Sequence, residues 1–261
     1  MIRVENLVKK FGDLTAVNNI SFNVERGEIF AFLGPNGAGK TTTIKMLTTL
    51  LHPTSGSLEL DGLDPTKQRD EVRKRFGVVF QDPSLDQDLT AWENMEIHGV
   101  LYGMPRKERH ERATTLLQLF ELWDRRDALV KTFSGGMRRR LEIARGLLHT
   151  PKVLFLDEPT LGLDPQSRNQ MWTHVKSLNE SDNVTVFLTT HYMEEADRVA
   201  NRIGVIDHGG LIAIGSSKEL KEQTATDSLE DAFLKLTGTT IRDEGADSAD
   251  AMRQIARMWR K

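Results

Sequence analysis

The chain has no cysteine among its 261 residues. Disulfides and thiolate metal sites are excluded, and a reducing compartment is consistent with that absence. There is no excess of positive charge either. Lys and Arg number 35 against 38 Asp and Glu, for a net charge of -3. Nucleic-acid-binding domains usually show as basic, so nucleic acid is not expected as a partner. No window approaches the roughly eighteen consecutive apolar residues that span a bilayer, and mean hydropathy is -0.42. The first residues, Met1-Ile2-Arg3-Val4-Glu5 onward, lack an apolar centre, so no signal peptide is expected. Internal repeats, low-complexity tracts and sustained heptads are also missing. A role in a membrane process would therefore need a partner inside the bilayer. The length fits one large domain or two small ones, with a core that needs no staples.

What is present is a phosphate cradle in its expected context. Gly34-Pro35-Asn36-Gly37-Ala38-Gly39-Lys40-Thr41 fits GxxxxGK[ST]. The apolar run Glu28 to Leu33 before it reads as a buried strand. The segment after it, from Thr42 to about Leu51, carries Ile44, Leu47, Leu50 and Leu51 at helical spacing. Strand, glycine turn and helix together bind a polyphosphate. The glycines let backbone N–H groups face the phosphate oxygens, and the helix N-terminus adds partial positive charge. Lys40 would reach the β- and γ-phosphates, the Thr41 hydroxyl would ligate Mg²⁺, and Thr42 could hold the α-phosphate. A nucleoside triphosphate follows from this motif; the work done with it does not.

Around the cradle the chain alternates. Ile2 to Val8 and Ile20 to Val24 show period-two apolar spacing, and Ser57 to Leu60 follows a turn at His52 to Gly56. Phe76 to Phe80 reads as a buried strand. From about Leu89 to Leu148 the pattern is mostly helical, with Thr90 and Glu93 spaced as a capping box. Strands return at Val153 to Leu156, Val184 to Leu188 and Ile203 to Ile206. The strand at Val153 ends in Asp157-Glu158. A strand edge in an open α/β sheet is where ligands bind, and the chemistry there needs one carboxylate for Mg²⁺ and one group to activate water. Asp157 is assigned to the metal and Glu158 to the general base. Ser134-Gly135-Gly136-Met137 opens a predicted helix, with Ser134 as its N-cap and a second anion site at its amides.

GPNGAGKT, FSGGM, VLFLDEPTLGLD and LTTH, in this order, resemble the motifs of the ATP-binding subunit of ABC transporters. The resemblance runs from about Ile2 to Leu220. It implies an α/β P-loop NTPase core of the ABC ATPase type, with an antiparallel β subdomain and an inserted helical subdomain, about residues 83–148. The ATP-binding domain would span 1–222, and 223–261 would be a C-terminal helical extension. Gly34 to Thr42 resembles the Walker A segment and Leu154 to Glu158 the Walker B. Phe133 to Met137 resembles the signature, usually LSGGQ; Met137 lacks the polar glutamine, so Ser134, Gly135 and Gly136 are left to contact phosphate. Gln81 resembles the glutamine that senses Mg²⁺ and faces the membrane partner. Asp164, in Leu163-Asp164, resembles the D-loop, and His191 the switch histidine that contacts the γ-phosphate. Phe11 sits where the family stacks an aromatic on adenine, and stacking needs only a π-face. The other six histidines read as structural, and Arg138-Arg139-Arg140 as solvated or as contacts to the bound nucleotide's field.

Cofactors implied by the resemblance are ATP and Mg²⁺. A signature and a P-loop on separate subdomains imply a second copy facing head to tail, with two ATPs between. Met137 to Leu141 and Ser228 to Gly238 resemble the daunorubicin and drug-resistance branch, which pairs with separately encoded, multi-spanning ABC-2 type permeases. That implies a peripheral place on the cytoplasmic face of the membrane and export of a drug, lipid or other hydrophobic or glycosylated compound. The alternative is a soluble ABC ATPase acting on ribosomes or DNA, although such chains usually carry two such domains or a long coiled coil. In the tail, Met252, Ile255, Met258 and Trp259 fall on one helical face, suited to packing on the domain or docking on a partner.

Overall fold

The computed structural model describes residues 1–238. The tail face of Met252, Ile255, Met258 and Trp259, and the linker from Arg242, lie outside the described residues. The chain is α/β, with two sheets. β1 (Ile2–Phe11), β2 (Leu14–Val24) and β4 (Ser55–Leu60) make an antiparallel sheet in the order β2-β1-β4. The second sheet has the order β5-β6-β7-β3-β8-β9. It comprises β3 (Ile29–Leu33), β5 (Phe76–Val79), β6 (Val153–Asp157), β7 (Thr185–Thr190), β8 (Arg202–Asp207) and β9 (Gly210–Gly215). All its neighbours pair parallel except β8 and β9.

β3, β6 and β7 are buried along their whole length, as strands covered on both faces must be. Their side chains alternate between two cores. Phe30, Phe32, Phe155 and Phe187 join Phe22 and Phe76 on the face toward the antiparallel sheet and α1 (Lys40–Leu47). Ile29, Ala31, Leu33, Leu154, Leu156, Val186 and Leu188 face the helices opposite. The same alternation puts Asp157, two residues past Phe155, on the face of α1. α2 (Arg69–Arg73) then leads into β5. The stretch expected to be helical is so, with α3 (Ala91–Leu101), α4 (Arg106–Leu119) and α5 (Gly135–Gly146) packed on one another. Thr90 and Glu93 form the capping box of α3. α5 lies close on β5: a methyl group on Gly77 would stand 2.1 Å from Gly146 O. α6 (Pro165–Asp182), α7 (Met193–Val199), α8 (Ser217–Thr224) and α9 (Leu229–Thr237) complete the described fold. α9 packs Leu229 and Phe233 into the core of the larger sheet.

Two expectations are corrected. α1 ends at Leu47, not Leu51. Thr49 turns left-handed at φ 64, and Leu50 is 56% exposed, so its helical spacing was incidental. The N–H groups of Leu50 and Leu51 both return to Lys45 O, closing the helix end. β9 had no counterpart in the sequence reading. It is a short edge strand between glycines, with Ile212 and Ile214 partly exposed, so neither burial pattern nor length marks it.

Candidate functional site

The cradle lies between β3 and α1. Gly37 and Gly39 have positive φ, 78° and 102°, and a Cβ on Gly39 would stand 2.5 Å from Ala16 O. Only glycine fits there, and the loop closes into α1 one residue later. Gly34, Ala38 and Gly39 are buried, Pro35 is half-buried, and Asn36 and Gly37 are exposed. Lys40 Nζ folds back to donate to Gly34 O at 2.8 Å and Pro35 O at 3.1 Å. Thr41 and Thr42 are half-buried in the first turn of the helix, where free N–H groups point outward.

β6 delivers its two carboxylates to this cradle. Asp157 pairs in register with Thr189 of β7. Its Oδ1 accepts from Thr189 Oγ1 at 2.6 Å and from Thr41 Oγ1 at 3.1 Å. Glu158 leaves the strand in a left-handed turn at φ 48, with its N–H donating to Thr189 Oγ1 at 3.1 Å. Its Oε1 lies 3.1 Å from Lys40 Nζ, and the two side chains are 7% and 6% exposed. That oxygen accepts no directed hydrogen bond among the described residues, so the attraction is one of charge. Its Oε2 is 2.8 Å from His191 Nδ1. P-loop, strand edge and histidine, distant in sequence, thus meet in one network. Two hard oxygens, from Thr41 and Asp157, are the donor set Mg²⁺ takes alongside phosphates and water. No group of three or more His, Cys, Asp or Glu that could hold a metal ion occurs among the described residues.

The remaining expected residues lie outside this network. Ser134 caps α5, its Oγ accepting from Met137 N at 3.2 Å, and remains exposed with Gly135. Gly136 lies against the start of α6, where a Cβ would stand 2.7 Å from Ser167 Oγ. Asp164 caps α6 by accepting from Ser167 N at 3.0 Å and Ser167 Oγ at 2.6 Å, and these bonds hold its carboxyl below the usual range. Phe11 ends β1, half-buried, with Lys9 Nζ 4.9 Å from its ring centre. Gln81 follows β5 and is exposed, with no side-chain hydrogen bond among the described residues.

Two residues were missed. Thr189 Oγ1 holds the Asp157 carboxylate and the backbone N–H of Glu158; strand pairing of LTTH beside the Asp157 strand was the available signal. Arg139, expected to be solvated or to meet the nucleotide's field, is instead buried, and its guanidinium spans Phe80, Asp157, Glu158 and Pro159. A run of three arginines hides which one faces inward.

A triphosphate cradle joined to two buried-strand carboxylates on a parallel sheet defines a P-loop ATPase architecture. The chain belongs to the ABC transporter family, whose model matches residues 17–161. Its ATP-binding domain is of the ABC ATPase type. The daunorubicin/doxorubicin resistance ATP-binding protein of Streptomyces peucetius is 49% identical over 87% of this chain and 69% of its own length. The Nod factor export ATP-binding protein I of Ralstonia nicotianae is 46% identical over 84% of this chain and 68% of its own length. A solved ATP-binding subunit of an ABC transporter superposes with a TM-score of 0.83, at 28% identity, over 91% of this chain and all of that one. A dimeric ATP-binding cassette in a post-hydrolysis state, bound to ADP and Pi, superposes with a TM-score of 0.74, at 30% identity, over 83% of this chain and 98% of that one.

Proposed function

We propose that this chain hydrolyses ATP to power an exporter whose membrane part is a separately encoded ABC-2 type permease. The carrying observation is the shared carboxylate of Glu158, set between Lys40 Nζ at 3.1 Å and His191 Nδ1 at 2.8 Å. Phosphate arriving in the cradle carries the negative charge to draw Lys40 away from Glu158. That frees Glu158 Oε1 to accept a proton from the attacking water, while His191 holds the other oxygen and faces the γ-phosphate. Thr41, Asp157 and Gln81 would hold Mg²⁺, which would supply charge neutralisation at the transferring phosphoryl group. Phe11 stacks on the adenine; Gly34 to Thr42 cradle the phosphates. Ser134, Gly135, Gly136 and Asp164 complete the site of a second copy, so that ATP joins two subunits head to tail.

Residues 1–222 form the ATP-binding domain with the helical insert at about 83–148, and 223–261 extend it. The names of the relatives, resistance and export, support a transport role over the rival of a ribosome- or DNA-directed ATPase. No helix among the described residues is long and apolar enough to cross a membrane, and the family resemblance is what supports a peripheral place on the cytoplasmic face. Glu158→Gln tests the reading. ATP still binds, hydrolysis falls by roughly 10²–10⁴, and light scattering reports an ATP- and Mg²⁺-dependent dimer that Ser134→Arg in the same chain abolishes. Near-normal turnover of Glu158→Gln overturns the base assignment. A monomer at saturating ATP overturns pairing of this subunit by itself.

A further inference from the structure

α5 places Arg139, Glu142 and Arg145 at three-residue spacing, so they share one face of the helix. Arg139 and Glu142 are both buried, their side chains 8% and 4% exposed. Arg139 Nε donates to Pro159 O at 2.7 Å, and its Nη2 donates to Asp157 O at 3.1 Å and Glu158 O at 3.2 Å. Its Nη1 donates to Phe80 O at 2.6 Å and to Glu142 Oε2 at 2.9 Å. Three successive carbonyls at the end of β6 and just past it, and the one just before Gln81, therefore converge on one guanidinium. The other two residues grip the far end of the Gln81 segment. Ser84 N donates to Glu142 Oε1 at 2.7 Å, and Arg145 Nη1 donates to Ser84 O at 2.9 Å.

This grip falls where the backbone is least comfortable. Glu158 is left-handed at φ 48, a conformation that a residue with a Cβ resists. The turn aims its carboxylate at Lys40 and His191, away from the line of the strand. Carbonyls in such a turn have no strand ladder to accept for, and buried carbonyls need donors. A planar fork of five N–H groups supplies several at once in a fixed plane; a lysine ammonium does not.

We infer that Arg139 is a positioning residue for hydrolysis. It fixes the Glu158 turn and the Gln81 segment to α5, the helix that opens at Ser134-Gly135-Gly136. It acts through Glu158 and bonds backbone oxygens, so nucleotide affinity does not depend on it. The inference rests on Glu158 as the base.

The test uses the purified full chain, its basal ATPase rate and its equilibrium binding of a fluorescent ATP analogue. Arg139→Lys keeps the charge and loses the fork. It is expected to lower kcat at least about tenfold, toward the about 10²-fold that a misplacement near 1 Å costs, with affinity retained. In a Glu158→Gln background the same substitution adds no further loss, since both act at one step. Arg109→Met removes another mostly buried arginine, paired with Glu96 at 3.1 Å in the helical stretch. It is expected to lower the melting temperature and keep kcat, which separates packing from positioning. Should Arg139→Lys fail to fold, Glu142→Gln, which removes the carboxylate aiming Nη1, carries the same measurement. Wild-type kcat in the substituted chain while Glu158→Gln is inactive overturns the inference, as do losses that multiply. Near-normal turnover of Glu158→Gln by itself overturns the base assignment and the inference with it.

Discussion

His191 Nδ1 lies 2.8 Å from Glu158 Oε2, joining the segment after β7 to the end of β6. The carboxylate is therefore bound on both sides, because its other oxygen faces Lys40 Nζ at 3.1 Å. A carboxylate held by two cationic or polar partners cannot swing away from the cradle. His191 is half-buried and its ring stands 4.1 Å from that of Tyr192, which in turn lies 4.8 Å from the Arg168 guanidinium. The histidine is thus held from behind as well.

His191→Ala is expected to leave nucleotide affinity near wild type and to lower kcat by up to about 10²-fold, the scale of a misplaced catalytic group. Lys40 remains to hold the phosphates, so the loss belongs to turnover. Steady-state kinetics across ATP concentrations separates the two. A higher KM with unchanged kcat would assign His191 to binding only.

Phe11→Ala is expected to weaken nucleotide binding by about 1–3 kcal/mol, the range for one base–aromatic stack. ATP and GTP suffer alike, because a ring face does not read base edges. Calorimetry on both chains measures it. Unchanged affinity with a normal melting curve would leave Phe11 as the packed end of β1.

Most of the site could be read before folding because it is written in short contiguous strings. GPNGAGKT carries its own turn chemistry, and VLFLDE is a buried strand with its cargo at the end. What could not be read depends on faces and registers that a string does not display. Thr189 matters because it stands opposite Asp157 across a parallel pair. Arg139 differs from Arg138 and Arg140 only in its angle on α5; Arg140 reaches Glu121 at 3.3 Å while Arg139 is buried. The end of α1 was misplaced because Leu50 and Leu51 continue an apolar rhythm past the point where Thr49 turns left-handed.

Thr189→Val tests the register directly. The shape is kept and the hydroxyl lost, so Asp157 Oδ1 loses its 2.6 Å donor. An unmet buried polar group costs about 1–3 kcal/mol, which should appear as a lower urea midpoint. The Mg²⁺ concentration giving half-maximal ATPase should rise as well, since Asp157 is then aimed only by Thr41. A lower midpoint with unaltered Mg²⁺ dependence would confine Thr189 to stability.

Acid should loosen the seam between α3 and the start of β5. His98, Tyr102 and His149 pack there, with Tyr102 stacked on His149 at 3.8 Å and His98 4.8 Å from Tyr102. Burial, then the nearby Arg145 and His149, hold His98 down to about 3. Burial holds His149 down to about 4, against the 2.9 Å hydrogen bond of its Nε2 with Phe76 O. Both imidazoles are neutral in the folded chain, while the unfolded chain takes up their protons below about pH 6.5. Unfolding therefore binds protons as pH falls from about 6.5 toward 4, and stability drops through that window. Each histidine contributes a slope of up to about 1.4 kcal/mol per pH unit. Above the window both states are neutral and the effect vanishes; below the folded values both are charged and the loss stops growing. His98→Phe keeps an aromatic ring against Tyr102 and removes one titrating group. Its urea midpoint should fall less steeply than that of the parent between pH 6.5 and 4.5, and match the parent's slope above pH 7. Parallel curves across the whole range would show that neither burial nor Arg145 holds His98 neutral.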